Sequence, residues 1–252
     1  MLSQSRAVIK QQFPSLLRFV RKTRRAFSNN PRLNDEAELA LLPRFVARDR
    51  LAIDVGANVG TYTEALTRLA KGVVAIEANP TWAKQLSDMF KGVNVICAAA
   101  SNTTGHASLR IPRDTAHLGM ATIEDQNVLE NVPVNNVTVD LITIDSLNLE
   151  NVGFVKIDVE GHEEAVLEGA AGTIQASRPN LLIEAEERHR PDAVSRIMQR
   201  MNSMGYSGFM LVDGMLESAN RFDASRHQQR VAGGMIGRNW PYVNNFFFVP
   251  NY

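Results

Sequence analysis

The sequence predicts an α/β fold with a doubly wound, mostly parallel sheet, and three observations support this prediction. Short β-branched runs alternate with amphipathic helical stretches from residue 50 onward, which is the pattern of a parallel sheet flanked by helices. A glycine-rich turn joins the first of these runs directly to the first helical stretch. Residues 1–45 lack the alternation, so we expect a basic helical N-terminal extension followed by one domain over residues 46–252.

The predicted elements follow one another at short intervals along the domain. Residues 51–55 form an apolar run, and apolar side chains then recur at three- and four-residue spacing from Tyr62 to Leu69, as in a helix. The further predicted strands are 73–76, 93–98, 137–145, 154–159, 181–185 and 246–249, and the further helices are 80–90, 162–170 and the stretch after Pro191. Residues 105–136 keep neither period, so we expect a long irregular segment that serves as a binding loop or lid.

Composition and cysteine content limit the class of protein. Of the 252 residues, 44% are hydrophobic and 21% are charged, as in an ordinary soluble globular protein. No window approaches the run of about twenty apolar residues that a membrane-spanning helix needs. Cys97 is the single cysteine, which excludes an internal disulfide or a cysteine zinc cluster and predicts a reducing compartment, the cytoplasm.

The first part of the chain carries a concentration of positive charge. The basic side chains there, with no acidic one among them, are Arg6, Lys10, Arg18, Arg21, Lys22, Arg24 and Arg25. Apolar residues at positions 13, 16, 17 and 20 have roughly helical spacing. Such an arm suits a helix lying on an anionic membrane or on RNA. The simpler interpretation is a helix that docks on the domain or pairs two subunits of a homodimer.

The first predicted strand leads into the glycine turn DVGANVG at residues 54–60. Glycines at a strand-to-helix reversal permit a positive φ and let a ligand approach the backbone. The next predicted strand ends at Glu77, and an acid at about this distance beyond the turn can accept hydrogen bonds from ribose hydroxyls. The combination predicts a nucleoside-type ligand.

One residue inside the turn distinguishes two classes of cofactor. A pyrophosphate is usually held by Gly-x-Gly-x-x-Gly, but Asn58 occupies the position of the second glycine. Asp54 before the turn and Asn58 within it suit a cationic, phosphate-free ligand, and S-adenosylmethionine (SAM) has this character. An NAD-dependent oxidoreductase or epimerase is the alternative, since Glu77 would serve either cofactor, although the sequence has no Tyr-x-x-x-Lys pair. A module that binds SAM without catalysis is a further alternative.

Several blocks of the sequence resemble one known family. Residues 53–63, IDVGANVGTYT, and residues 155–163, VKIDVEGHE, are followed by LEGA at 167–170 and LIE at 182–184. Together they resemble the FkbM-type methyltransferases over roughly residues 50–190. The resemblance implies a Rossmann-like fold of the class I SAM-dependent methyltransferase type. It also implies methyl transfer to a hydroxyl oxygen of a small molecule, such as a sugar or a secondary metabolite.

The same resemblance implies which residues contact the cofactor. The residues expected to hold the methionine part of SAM are Asp54, Gly56, Asn58 and Gly60, and Thr61 is also expected to bind the cofactor. Glu77 is expected to bind the ribose. Ser101 and Asn102 are expected beside the adenine, with Asn102 standing where the family commonly has aspartate. Trp82 in the second helix is expected to pack against the domain.

Acidic side chains collect where two predicted strands end. The cluster consists of Asp158, Glu160, His162 and Glu163 after one strand and Glu184 and Glu186 after the next. Ligands of open α/β sheets bind beyond the carboxyl ends of the strands, so we expect these side chains at the acceptor site. Asp158, Glu160 and His162 are the candidate catalytic residues. His162 has a suitable ordinary pKa, whereas a carboxylate would need its pKa raised by neighbouring like charges.

The remaining candidates concern the acceptor and a metal. The residues expected to contact the acceptor are Glu163, Glu184, His189 and Arg190. Alternatively, Glu163 only favours the positive end of the following helix, and the histidine and arginine belong to a solvated loop. Asp158, Glu160 and Glu184 could hold Mg²⁺ or Mn²⁺, but we favour a reaction without a metal. A nucleic-acid acceptor is disfavoured, because an acidic region repels phosphates.

Overall fold

A computed structural model gives the fold of residues 37–113, 120–124, 132–229 and 242–251. Residues 1–36 of the predicted N-terminal extension, which include its basic arm, lie outside these described residues. Within the described part of the chain, no helix has the length and apolar character needed to cross a membrane.

The elements of the domain are short and alternate along the chain. The strands are β1 Leu51–Val55, β2 Gly72–Ile76, β3 Asn94–Ile96, β4 Ala99–Ala100, β5 Gly105–Pro112, β6 Val134–Ile142, β7 Val152–Ile157, β8 Asn180–Glu184, β9 Tyr206–Val212, β10 Met215–Ser218 and β11 Asn245–Pro250. The helices are α1 Leu42–Phe45, α2 Thr61–Thr67, α3 Pro80–Met89, α4 Glu163–Glu168, α5 Ala171–Ser177, α6 Ala193–Ser203 and α7 Ala224–His227. Short 3₁₀ turns occupy Ala37–Leu41, Asp145–Leu147 and Ala219–Arg221.

The main sheet has the strand order β3-β2-β1-β7-β8-β11-β9-β10 among the described residues. Five neighbouring strands of this sheet run parallel, namely β3, β2, β1, β7 and β8. β11 is inserted antiparallel between β8 and β9. β1 lies between β2 and β7, so the chain winds away from it in both directions. Such a switch point leaves a crevice at the carboxyl ends of the strands. The predicted doubly wound, mostly parallel α/β fold is confirmed.

The prediction of an irregular segment over residues 105–136 is wrong at both ends. β5 and β6 pair antiparallel from Gly105 opposite Leu141 to Pro112 opposite Val134, and with β4 they form a three-stranded sheet. The signal is present in β5, where residues 107, 109 and 111 are apolar and alternate with polar ones. This alternation is the period of a strand with one solvated face. The polar residues of that face give the segment the composition of a loop.

The hairpin of β9 and β10 is missing from the sequence prediction. Asp213 and Gly214 form its turn, and both have positive φ angles, of 50° and 76°. Positive φ at both central residues is what a type I′ turn requires. An Asp-Gly pair between two apolar runs is a recognised signal for such a hairpin, so this element could have been predicted.

The N-terminal part of the described chain packs into the core. Leu41, Leu42 and Phe45 are almost completely buried, and the ring of Phe45 stacks on Phe247 of β11 with 4.1 Å between the ring centroids. Burying one such side chain contributes about 1.5–3 kcal/mol. Residues 37–45 therefore cover one face of the main sheet, although they fall within the predicted N-terminal extension.

Two glycines determine the shape of the turn between β1 and α2. Gly56 and Gly60 have φ angles of 76° and 90°, a region in which a residue with a Cβ is strained. A Cβ on Gly56 would lie 1.7 Å from the carbonyl oxygen of Asp158, and one on Gly60 would lie 2.7 Å from Leu86. The first glycine permits the loops after β1 and β7 to touch. The second permits α2 to begin against α3.

Gly56→Ala is expected to destabilise the protein by about 3 kcal/mol or more, because left-handed strain adds to overlap with backbone atoms. Gly92→Ala is the matched control, since a Cβ at Gly92 would meet no atom within 4 Å, and its effect should stay within about 0.5 kcal/mol. Urea denaturation followed by circular dichroism measures both values. Equal stability of the two variants would contradict the close contact of the loops.

Candidate functional site

A cavity of about 280 Å³ opens at the carboxyl ends of β1, β2 and β7. Its wall is formed mainly by parts of five segments, which are residues 55–58, 76–78, 98–100, 120–123 and 158–162. The cavity thus lies at the switch point of the main sheet, where open α/β proteins bind their ligands.

The glycine turn contributes Gly56 and Asn58 to this wall. Asp54 is buried beneath the turn, and its carboxylate accepts a hydrogen bond from a threonine hydroxyl of α2 at 2.5 Å. Gly60 and Thr61 form the start of α2, outside the described wall. Of the residues predicted to hold the methionine part of SAM, two reach the cavity and the others support the turn.

Glu77 follows β2 and lies in the cavity wall. One carboxylate oxygen accepts a hydrogen bond from the backbone amide of Asn58 at 2.7 Å, and the other accepts one from Asn79 at 2.8 Å. Burial raises the pKa of Glu77 to about 6, against the lowering effect of these two hydrogen bonds. The carboxylate therefore ties the glycine turn to the end of β2, at the edge predicted to bind ribose.

Asp158 is the first residue after β7 and also lines the cavity. Its carboxylate is 3.3 Å from the ammonium group of Lys156, whose side chain is only 1% exposed. The same ammonium group lies 5.0 Å from the centre of the Tyr62 ring, a cation–π contact. A buried charge is tolerated only when it is paired, and Lys156 has both an anionic and an aromatic partner.

Glu184 at the end of β8 is half-buried and shares a side-chain hydrogen bond with Asp158. The side-chain amide of Asn244 donates a second hydrogen bond to Glu184 at 2.7 Å. Burial, and after it the negative charge of Asp158, raise the pKa of Glu184 well above its usual range. When Glu184 is protonated, its carboxyl group is the donor of this hydrogen bond and Asp158 is the acceptor.

Glu160 lies next to Asp158 in the wall and has a positive φ of 52°. Its carboxylate is 3.1 Å from the guanidinium of Arg188 and 3.0 Å from the ring of His189. Arg188 also lies 2.6 Å from Glu186, which accepts a hydrogen bond from the hydroxyl of Tyr242. Glu160 is therefore held by two basic side chains, of which Arg188 is itself anchored by Glu186.

The side chains predicted to contact the acceptor lie behind the described wall, and they are Glu163, Glu184, His189 and Arg190. His189 supports Glu160, and Arg190 lies on the surface beside α4. Glu163 is buried, and its carboxylate accepts a hydrogen bond from the backbone amide of Gly161 at 2.9 Å. Burial raises the pKa of Glu163 to about 7. This residue shapes the loop that carries Glu160.

His162 precedes α4 and completes this side of the wall. Its Nδ1 is 2.6 Å from a carboxylate oxygen of Glu124, and its Nε2 is 2.9 Å from the hydroxyl oxygen of Ser101. Ser101 is buried, so Nε2 points into the protein. Asn102, predicted with Ser101 beside the adenine, donates a hydrogen bond to a carboxylate of α4 at 2.8 Å. The wall in this region consists of residues 98–100.

Several side chains of the site are not among the site residues that the sequence predicts, namely Trp82, Glu124, Lys156, Arg188, Tyr242 and Asn244. Lys156 carries a usable signal, because a charged residue inside a buried strand requires a partner. Trp82, expected to pack against the domain, lies in the cavity wall. Glu124, Tyr242 and Asn244 come from distant segments, and only the tertiary fold brings them to the site.

The candidate metal ligands have other partners in the structure. Asp158 and Glu160 are each ion-paired with a basic side chain, and Glu184 accepts a hydrogen bond from Asn244. Over residues 37–113, 120–124, 132–229 and 242–251, no group of three or more potential ligand side chains is arranged to hold a metal ion. This donor set does not fit a divalent cation.

Comparison with known proteins gives one family. The family model Methyltransferase FkbM domain matches residues 54–207, and no curated protein matches the sequence. Methyltransferase FkbM from Methylobacillus flagellatus KT is similar in structure at 16% identity and a TM-score of 0.47 over 96% of this chain, which spans 60% of that protein. SMU.1697c from Streptococcus mutans, in complex with SAH, is similar at 13% identity and a TM-score of 0.46, covering 84% of this chain and 95% of that one. Precorrin-6y C5,15-methyltransferase from Geobacter metallireducens GS-15 is similar at 13% identity and a TM-score of 0.44, covering 84% of this chain and 86% of that one.

The burial of Glu163 predicts a pH dependence of stability. The folded protein holds the Glu163 proton up to about pH 7, whereas the unfolded chain releases it near 4.5. The free energy of unfolding therefore falls as the pH rises through this range. Glu163→Gln removes the titration and is expected to stabilise the protein at about pH 8 by up to about 3 kcal/mol.

Denaturation curves recorded from acidic to mildly alkaline pH measure this effect. Glu64→Gln is the control, because Glu64 is exposed on α2 and pairs only with a neighbouring arginine in the same helix. A pH dependence that is the same in the wild type and in Glu163→Gln would contradict the assignment.

Proposed function

The chain belongs to the FkbM methyltransferase family, and we propose that it transfers a methyl group from SAM to a hydroxyl group of a small molecule, such as a sugar or a secondary metabolite. The observation that carries this proposal is the composition of one cavity. The glycine turn and Glu77 form one side of it, and Asp158 and Glu160 form the other. A methyl donor and an acceptor hydroxyl bound here would be neighbours.

The wall of the cavity suits SAM better than a dinucleotide. Its carboxylates, on Glu77, Asp158 and Glu160, attract ammonium and sulfonium charges and repel a pyrophosphate. Gly56 and Asn58 present backbone to the methionine part, and Glu77 accepts hydrogen bonds from the ribose. When bound, SAM supplies a methyl group activated by a positively charged sulfur. The predicted residues that act indirectly, by shaping the turn, are Asp54, Gly60 and Thr61.

Asp158 is the residue that we assign to the acceptor proton. Its side chain is 31% exposed, against 13% for Glu160 and 14% for His162. Glu160 is engaged by Arg188 and His189, and both ring nitrogens of His162 have partners within the protein. Asp158 would accept the proton of an acceptor hydroxyl bound beside it, and SAM, held by the glycine turn and Glu77, would supply the methyl group.

Positioning is expected to contribute more to the rate than this proton transfer. Holding the two reactants near contact lowers a barrier by about 7–11 kcal/mol in favourable cases, whereas a general base contributes about 10²–10⁴-fold. Lys156 and Glu184 both contact the carboxylate of Asp158 and hold it in place. Glu160 and His162 then act by orienting the acceptor and by forming the wall.

Isothermal titration with SAM and with NAD tests the cofactor. SAM is expected to bind and NAD is not. Glu77→Gln is expected to weaken SAM binding about 10–100-fold, because it replaces a charged acceptor for the ribose hydroxyls by a neutral group. Glu217→Gln, a change at a surface ion pair with Arg221, is the control and should leave the Kd unchanged. Binding of NAD without SAM would favour an oxidoreductase and overturn the proposal.

Asp158→Asn tests the chemical step. With a panel of sugars and other hydroxyl compounds assayed for SAH release, the variant is expected to lower kcat by about 100-fold or more, while the Kd for SAM stays within about threefold. Asp88→Asn is the matched control, because Asp88 is an exposed carboxylate on α3. Full activity of Asp158→Asn would remove this carboxylate from the mechanism. SAM binding without turnover on any hydroxyl compound would favour a non-catalytic module.

A further inference from the structure

Glu124 has no role in the proposed reaction, yet it makes the shortest contact of the His162 ring. The carboxylate lies 2.6 Å from Nδ1, and Nε2 on the other side of the ring lies 2.9 Å from the hydroxyl of Ser101. Ser101 is fixed in turn, because its backbone amide donates a hydrogen bond to Ile142 of β6 at 2.8 Å. His162 thus connects Glu124 to the end of the three-stranded sheet of β4, β5 and β6, which we call the second sheet.

Glu124 directly follows residues 120–123, which form part of the cavity wall. Met120, Ala121, Thr122 and Ile123 all line the cavity, and Ala121 and Ile123 also pack against the apolar cluster of the second sheet. Thr122 pairs with β5 through backbone hydrogen bonds and donates its hydroxyl to the carbonyl of Glu160 at 3.0 Å. The segment therefore has backbone anchors of its own, to which the Glu124 carboxylate adds a bond from the opposite wall.

The chemistry of the contact specifies its direction. An ionised carboxylate only accepts hydrogen bonds, so Nδ1 of His162 donates to Glu124. In the neutral ring Nε2 then accepts from the hydroxyl of Ser101. Both polar atoms of the ring are satisfied, and the ring is left as a fixed surface between the wall segment and the acidic loop.

We propose that Glu124 is a positioning residue for the cofactor, which holds residues 120–123 as a wall of the SAM cavity through its bond to His162. The inference rests on the proposed binding of SAM in this cavity. It assigns His162 a positioning role through Glu124 and Ser101. Its observable consequence is that affinity for the cofactor depends on Glu124, while the chemical step depends on it far less.

The chain offers a matched control for this pair. His106 and Asp140 also form a histidine–carboxylate contact, at 2.9 Å between β5 and β6. Their side chains are 72% and 69% exposed, and an exposed ion pair contributes little. The same substitution at Asp140 therefore removes the same chemistry away from the cavity.

The first experiment compares Glu124→Ala, Glu124→Gln and Asp140→Ala in the full chain. Glu124→Ala is expected to weaken binding of SAM and of SAH equally, by about tenfold or about 1.4 kcal/mol, with kcat at saturating SAM within about threefold of the wild type. Glu124→Gln keeps an oxygen that accepts from Nδ1 and should recover most of the affinity, because only the charge is lost. Asp140→Ala should match the wild type. An unchanged Kd in Glu124→Ala, or an equal loss in Asp140→Ala, would overturn the proposal.

A second measurement needs no cofactor. Hydrogen exchange detected by mass spectrometry reports on residues 120–124 in the ligand-free protein, and Glu124→Ala and His162→Ala should each accelerate it. The double variant should exchange no faster than His162→Ala, because this substitution already removes the ring through which the Glu124 carboxylate acts. Additive acceleration, or none, would overturn the proposal. Failure of the wild type to bind SAM would overturn the proposed function and with it the role of Glu124 toward the cofactor, whereas the exchange measurement would still decide whether Glu124 holds residues 120–123.

Discussion

The contact between the loops after β1 and β7 is the constraint on which the rest of the site depends. Gly56 has no side chain, and for this reason its α-carbon can lie against the carbonyl group of Asp158. The register of the two strands places Val55 beside Ile157, so both strands end at the same edge of the sheet. The glycine turn and the acidic strand end, which are distant in the sequence, therefore share one cavity.

Around this contact the protein keeps carboxylates in an environment that penalises charge. Each has a local partner: Asp158 has the ammonium of Lys156, Glu160 has the guanidinium of Arg188, and Glu77 has two backbone amides. Removing one member of a buried pair costs about 3–5 kcal/mol, because the other is left uncompensated. Lys156 and Arg188, which have no direct part in the proposed reaction, thus influence the charge that faces a ligand.

The sequence predicts the parallel half of the sheet well for a physical reason. β1, β2 and β7 are buried on both faces, so they occur as apolar runs bounded by turns and acids. β5 has a solvated face and alternates polar with apolar residues, which makes it resemble a loop. For the site, Gly56, Glu77 and Asp158 lie next to strand ends, and the edge that they share follows from the parallel topology.

The contacts that the sequence does not predict depend on side-chain direction or on long-range packing. Nothing in the local sequence around His162 indicates that both ring nitrogens turn to protein partners. Glu124 lies in the connection between β5 and β6, and Asn244 precedes β11, which comes last among the described strands. Their positions follow from tertiary structure alone.

β11 comes last among the described strands, yet it lies inside the main sheet between β8 and β9. During synthesis, the facing edges of those two strands have no partner until residues 245–250 have left the ribosome. Tyr242 and Asn244 emerge in the same stretch and bring hydrogen bonds to Glu186 and Glu184. A nascent chain without this stretch exposes two strand edges whose backbone groups are unpaired, and such edges promote aggregation and proteolysis. Closure of the sheet and completion of the acidic site therefore depend on the same stretch of the chain, residues 242–250.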